Sequence, residues 1–202
     1  MPTNNSDNVV LRDQEFTKGR TNYFLVGPPC LDQQQIEHLK KLVDETSAPA
    51  DLGGMEDGMR LEDIRRTQAV SLHPQGERWA YELIERTFMV ANEHMRCDIV
   101  PEMSDPIQIL RYDEEDEGCY IWHADTLPSD MTRKMSVVVP LSDPSEYEGG
   151  SLQFNQGGTL HEIPQTPGKP VVFPSWLIHQ VTPVTKGHRY SLVAWIRGPN
   201  WR

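Results

Sequence analysis

His123 and Asp125, joined far downstream by His179 and Arg189, are the residue types from which a metal site open to substrates can be built. Two imidazoles and one carboxylate can hold one face of an iron(II) ion and leave the opposite face free. A structural zinc site would close its fourth position with a further Cys or His, and none stands at a matching spacing. Residues two apart on a β-strand leave the same face, so His123 and Asp125 are expected to project together. His179 follows 54 residues after Asp125 and would come from another strand of the same small barrel. Arg189 stands ten beyond His179 and opens the strand-like run Tyr190 to Ile196, where Ser191 shares its face. A permanently charged guanidinium turned inward beside a metal is costly unless it meets an anion.

Such a constellation needs strands to carry it. After Pro101 the chain breaks into short apolar runs divided by turn residues. The runs are Ile107–Tyr112, Tyr120–Ala124, Met135–Leu141, Ser151–Phe154, Leu160–Ile163, Pro170–Phe173, His179–Pro183 and Tyr190–Arg197. About eight strands is the count for a double-sheet jelly roll. The expected fold is therefore mainly β with flanking helices (α+β), a double-stranded β-helix with its core at about 105–198. Ahead of it, Asp32 with Gln35 predicts a capping box for a helix to about Glu45, with Ile36, Leu39, Leu42 and Val43 on one face. His38 falls elsewhere on that helix and reads as solvated. A second helix spans roughly Gly76 to His94, with Trp79, Leu83, Phe88, Ala91 and Met95 as its buried stripe. Tyr23 to Val26 and Ile64 to Leu72 each read as one strand. Ala48 to Arg60, rich in glycine and acids, reads as a loop. Residues 1–20 read as a flexible N-terminal arm and 21–202 as a single domain, with no internal repeat.

A length of 202 residues suits one domain with a sizeable core. Nineteen Lys and Arg against thirty Asp and Glu give a net charge of −11, and no basic stripe is present, which argues against a nucleic-acid partner. Cys30, Cys97 and Cys119 are odd in number and lack C-x-x-C spacing, which fits a reducing compartment rather than a disulfide framework. Met1 to Asn8 is polar and lacks the apolar core of a signal peptide, and no apolar run is long enough to span a membrane. A cytoplasmic protein is expected.

The motifs resemble those of the iron(II)/2-oxoglutarate-dependent dioxygenases, in particular the prolyl 4-hydroxylase-like branch. Arg111-Tyr112, Gly118, Tyr120, His123 and Asp125 resemble its first metal motif, and Glu148-Gly149-Gly150-Ser151-Leu152-Gln153-Phe154 its central Gly-Gly strand. Val171-Val172-Phe173-Pro174-Ser175, then His179 through Arg189-Tyr190-Ser191-Leu192, resemble its C-terminal signature. The likeness runs from about Arg65 to Trp201, with Arg65-Arg66-Thr67 near the start of the family's core. It implies iron(II) on His123, Asp125 and His179, with 2-oxoglutarate and O2 as cosubstrates and ascorbate as a further cofactor. Arg189 would anchor the distal carboxylate of 2-oxoglutarate, Tyr112 would donate to the same carboxylate, and Ser191 would add a hydroxyl. The implied reaction decarboxylates 2-oxoglutarate to succinate and CO2 while hydroxylating an unactivated C–H bond.

Departures bear on the substrate. Many prolyl 4-hydroxylases carry Lys where Arg189 stands, and the acidic run Asp113 to Glu117 lengthens the spacing from Tyr112 to His123. Proline, in a peptide or free, is the leading substrate; another free amino acid or a small natural product is the alternative. Asp125 points to hydroxylation, because related halogenases replace this carboxylate with a small residue. A nucleic-acid demethylase would place a second Arg six residues after Arg189, where Trp195 stands. A non-catalytic metal-binding jelly roll is the reading from another class. His188, expected to face away from Arg189, and His161 and His73 read as structural or solvated, Thr182 as an ordinary strand residue, and Cys119 as packed. Asp113 to Glu117 reads as a solvated loop. Trp122 and Trp195 read as core, with Trp195 flanking the cosubstrate pocket. The family's loops ahead of the barrel help cover substrate, so Ala48 to Arg60 is a candidate lid. Oligomeric state is left open.

Overall fold

The computed structural model describes residues 24–50, 64–95, 99–100, 103–126 and 130–199. The arm expected over 1–20 and all but the first three residues of the candidate lid lie outside them. In chain order the elements are β1 (Leu25–Val26), α1 (Gln33–Thr46), β2 (Ala48–Pro49), β3 (Arg65–Arg66), β4 (Gln68–Ser71) and α2 (Arg78–Met95). There follow β5 (Gln108–Asp113), β6 (Cys119–His123), β7 (Arg133–Pro140), β8 (Tyr147–Gly149) and β9 (Leu152–Gln156). β10 (Thr159–Glu162), β11 (Val171–Pro174), β12 (Ile178–Val181) and β13 (Val184–Arg197) complete the chain. They form two antiparallel sheets, a major one in the order β1-β11-β7-β13-β5-β4-β2 with β8 added to β13, and a minor one in the order β10-β9-β12-β6-β3. This is the mainly β jelly roll with flanking helices that the sequence predicts.

Strand alternation in β13 divides the molecule into two cores. Tyr190, Leu192, Ala194 and Ile196 pack with Ile36, Leu39 and Val43 of α1 and Ile84 and Phe88 of α2. Their odd-numbered neighbours Val193 and Trp195 join Phe154, Phe173 and Val181 between the two sheets. Burying each large aliphatic side chain stabilises by roughly 1.5–3 kcal/mol, so the helix-covered layer makes the major sheet a rigid wall for the other face. Arg189 and Ser191 have the odd parity and therefore face between the sheets, while His188 faces outward and meets Asp113 Oδ1 at 2.9 Å.

The helices differ from expectation in detail. The Asp32–Gln35 capping box is present, with Asp32 Oδ1 accepting from Gln35 N at 2.8 Å and Gln35 Oε1 from Asp32 N at 2.9 Å. The stripe of α2 is rotated toward Ala80, Ile84, Thr87, Phe88 and Ala91. Trp79 stays at its edge because its indole N–H donates to Glu77 at 2.6 Å. His38 is not simply solvated; its Nε2 lies 2.9 Å from the same Glu77, tying α1 to the start of α2.

Two breaks in strand regularity matter more. The run expected as one strand over 64–72 changes sheets at Thr67, whose hydroxyl donates to Arg111 O at 2.8 Å. Arg65 and Arg66 pair with β6 in the minor sheet, whereas Gln68–Ser71 pair with β5 in the major one. The second break is a bulge in β6. Tyr120 pairs with Val181 but His123 pairs with His179, so three steps on β6 match two on β12. An extra residue reverses the alternation. Ile121 and Trp122 both turn outward, 39% and 38% exposed, which corrects the expectation that Trp122 is core. The expected strand over residues 190–197 begins earlier, at Val184, and the short β8 was not foreseen.

Among the described residues no helix is long and apolar enough to cross a membrane.

Candidate active site

The bulge decides the geometry of the first candidate ligand. Because of it Tyr120 and His123, three apart, face the same side, and their rings stack at 3.4 Å and 13°. His179, on the adjacent strand and in register with His123, brings its ring centroid to 4.1 Å. Phe154 and Phe173 approach the His179 ring in edge orientation at 6.1 and 4.8 Å. Asp125 is not on the strand at all. It follows the end of β6, and its backbone N–H donates to Ser175 O at 2.9 Å. That loop contact, not strand alternation, brings Asp125 to the histidines.

Each imidazole is oriented by a carbonyl. His123 Nδ1 lies 2.8 Å from Ile121 O and His179 Nδ1 2.8 Å from Leu177 O, so both Nδ1 atoms carry the proton and both Nε2 lone pairs are free. Those Nε2 atoms lie 3.6 and 3.7 Å from the two Asp125 carboxylate oxygens. These separations are too long for good hydrogen bonds but suit atoms sharing a cation. One ligand atom from each of the three residues falls within 4.8 Å of the others. Ser136 Oγ, reaching across from β7, donates to Asp125 Oδ2 at 2.6 Å and contacts Ser175 Oγ at 3.0 Å.

Electrostatics keep the trio ready for a metal. Burial pushes the His179 imidazole down to about 4. Burial alone would raise the Asp125 carboxyl, but the His179 and His123 imidazoles and the Ser136 hydroxyl outweigh it and hold it well below the usual carboxylate range. At neutral pH Asp125 is an ionised carboxylate beside a neutral His179, which is the protonation state a divalent ion needs. The donor set fits iron(II): three ligands of mixed imidazole and carboxylate type, with the remaining positions open to the cavity.

That cavity, about 340 Å³, lies between the sheets and is lined by His123, Asp125 and His179 together with Tyr112, Arg189 and Ser191. The volume is in the range of small-ligand sites. Arg189 is 1% exposed. Its Nη2 donates to Gln165 Oε1 at 3.0 Å and its Nη1 to Ser191 Oγ at 3.4 Å, while its guanidinium stands 5.1 Å from the centroid of the Tyr112 ring. Among the described residues its Nε has no hydrogen-bond partner. A buried cation held only by neutral groups is matched by an incoming carboxylate. Gly150, at φ +60°, allows this packing, since a Cβ there would lie 2.8 Å from Arg189 Cδ.

All six site residues named from the sequence line this one cavity. Trp195 flanks it, as expected, and stacks under the Arg133 guanidinium at 4.1 Å. Sequence reasoning missed Ser136, Ser175 as an Asp125 partner, Gln165 and the cavity role of Arg65. Thr182 is more than an ordinary strand residue, because its hydroxyl accepts from Ser151 N at 2.8 Å. Asp113 to Glu117 is not simply a solvated loop. Asp113 pairs with Arg111 at 2.8 Å and with His188, and Glu114 accepts from Gly187 N at 2.7 Å. Cys119 is buried, as expected.

Residues 107–197 match the model of the 2OG-Fe(II) oxygenase superfamily. A PKHD-type hydroxylase of Synechococcus sp. is 43% identical over 79 residues, covering 38% of this chain and 36% of that relative. A PKHD-type hydroxylase of Acinetobacter baumannii is 24% identical over 177 residues, covering 84% and 76%. In fold, the chain matches a Pseudomonas putida prolyl-4-hydroxylase with a TM-score of 0.70 at 20% identity, over 89% of this chain and 95% of that one. Residues 107–197 thus resemble the 2OG-Fe(II) oxygenase superfamily, and the chain is similar to PKHD-type hydroxylases in sequence and to a prolyl-4-hydroxylase in fold. The superfamily match implies iron(II), 2-oxoglutarate and O2 as the reaction's cofactor and cosubstrates.

Proposed function

We propose that this protein hydroxylates a prolyl residue, in a peptide or as a small molecule, using iron(II) held by His123, Asp125 and His179. The observation that carries the reading is one cavity with an ionised carboxylate and two free imidazole nitrogens in its wall, and a buried guanidinium in the same wall. Bound iron and 2-oxoglutarate supply the oxidising power. The chain's own residues orient and exclude. Arg189 binds the distal carboxylate of 2-oxoglutarate, with Tyr112 and Ser191 beside it. Ser136 keeps the Asp125 carboxylate turned toward the metal, and the apolar wall of Leu110, Val138, Val193 and Trp195 keeps water from the reacting C–H bond. Residues 21–202 act as one domain, in the cytoplasm, with ascorbate as a further cofactor. The names of the PKHD-type relatives support a hydroxylation, and that of the prolyl-4-hydroxylase supports the prolyl substrate.

The test combines spectroscopy with product analysis. Anaerobic addition of iron(II) and 2-oxoglutarate should give a weak visible charge-transfer band, and aerobic turnover with proline-containing probes should yield succinate and one added oxygen by mass spectrometry. His179→Ala should lose the band and the succinate together. A variant with full activity would remove His179 from the metal, and a wild-type protein that binds iron without ever forming succinate would be a metal-binding module.

A further inference from the structure

We infer that Arg65 is a recognition site for a carboxylate on the prime substrate, so that the preferred substrates are free amino acids or chains whose terminal carboxylate adjoins the reacting residue. The inference rests on the proposed site for the location of the substrate and goes further by naming the group that substrate must carry.

Arg65 stands at the sheet switch, where the chain leaves the minor sheet after two residues of pairing with β6. It pairs opposite Tyr120, and both residues line the same cavity as the candidate ligands. It is 9% exposed, and its buried Nε has no hydrogen-bond partner among the described residues. Its guanidinium lies 5.0 Å from the centroid of the Tyr120 ring, the ring that stacks on His123. Arg65 therefore shares an aromatic neighbour with a candidate ligand, within reach of a small molecule lying beside the metal.

The charges around the cavity leave Arg65 as the remainder. Arg133 and Arg197 also line it, but Asp105 holds both, at 2.9 and 2.8 Å, and Asp130 holds Arg197 at 2.6 Å. Those two cations and two carboxylates balance. In the loaded site an iron dication offsets the 2-oxoglutarate dianion, and Asp125 offsets Arg189. Among the described residues one positive charge is then unmatched, and it belongs to Arg65. A buried, under-bonded guanidinium is unfavourable alone and favours a planar anion that accepts from its fork. The apolar residues of the wall cannot supply that anion, whereas a substrate carboxylate can.

The experiment measures binding separately from turnover. The full chain, loaded with zinc(II) and 2-oxoglutarate, is titrated in a calorimeter with L-proline, with several other free amino acids and with a short peptide ending in proline. Each probe is used as the free acid and as the carboxamide, and a peptide with internal proline is added. At least one acid should bind about ten- to a hundredfold more tightly than its amide, the size of a lost charged hydrogen bond. Arg65→Gln should bring that ratio to about one, and Arg65→Lys should keep part of it. Whether the free amino acid or the peptide shows the ratio identifies the source of the carboxylate. The inference is overturned if no acid outbinds its amide, or if the preference survives in Arg65→Gln. A general loss of structure would weaken acid and amide alike, and the wild-type ratio stands independently of any variant. Acid preference without oxygen insertion would instead refute the proposed activity and leave the role of Arg65 intact.

Discussion

Replacing Arg189 by Met keeps most of the buried volume and removes the charge, which isolates its part in 2-oxoglutarate binding. In the free protein that guanidinium donates to Gln165 and Ser191, both neutral, and its Nε is unpartnered among the described residues. Among the described residues the substitution therefore removes no ion pair from the resting fold, and the ligand-free protein should melt within a few degrees of wild type. Losing a charge-assisted pair with the cosubstrate costs about 1.5–3 kcal/mol, or roughly ten- to a hundredfold in affinity. Ligand-linked stability makes this measurable without turnover. With manganese(II) present and 2-oxoglutarate at a hundred times its wild-type Kd, wild type gains about 2.7 kcal/mol. The same concentration is only about one to ten times the variant's Kd, so its gain falls to about 0.4–1.4 kcal/mol. For a domain of this size the wild-type shift is about 5–11 °C, and the variant should show half of it or less. The assay is a thermal melt with and without the keto acid, alongside the apparent KM in succinate formation. An undiminished shift in the variant would refute the anchor.

Ser136→Ala removes the hydroxyl that donates to Asp125 at 2.6 Å, and metal affinity should fall about ten- to a hundredfold in a manganese(II) titration while the fold persists. Gly150→Val would place side-chain atoms against Arg189 and Val184 from a backbone at φ +60°; it should lower stability by about 1–3 kcal/mol and raise the KM for 2-oxoglutarate, and a normal KM would mean that Arg189 has room to move aside. The pH dependence of the metal-free protein follows from His179, whose pKa is about 4 in the fold against 6.5 for the free side chain. Between those values the unfolded chain binds more protons, so stability should fall as pH drops from about 6.5 toward 4, and further below that range as the depressed Asp125 carboxyl begins to protonate. Melting temperatures with chelator across this range, flat with pH, would contradict the buried neutral imidazole.

Much of the site was legible because its parts are short and local. The alternation that puts Arg189 and Ser191 on one face needs only period-two geometry, and β13 obeys it from Arg189 to Ile196. The capping box of α1 is likewise a three-residue event and appears as read. Residue types alone singled out the candidate metal trio and the candidate anion anchor, because few other side chains do that chemistry. What the sequence could not reveal depends on contacts between distant segments. The β6 bulge is visible only in its pairing with β12, and it reverses the facing of Trp122 and His123 relative to the alternation begun at Tyr120. Asp125 reaches the histidines through a backbone bond to Ser175 and a hydroxyl from Ser136, partners 50 and 11 residues away in sequence. Arg65 reaches the cavity through its pairing with Tyr120 on β6, 55 residues away in sequence. Local periodicity sets which way a side chain points when a strand is regular. Where a strand ends, bulges or changes sheets, only the hydrogen bonds of the assembled fold decide it.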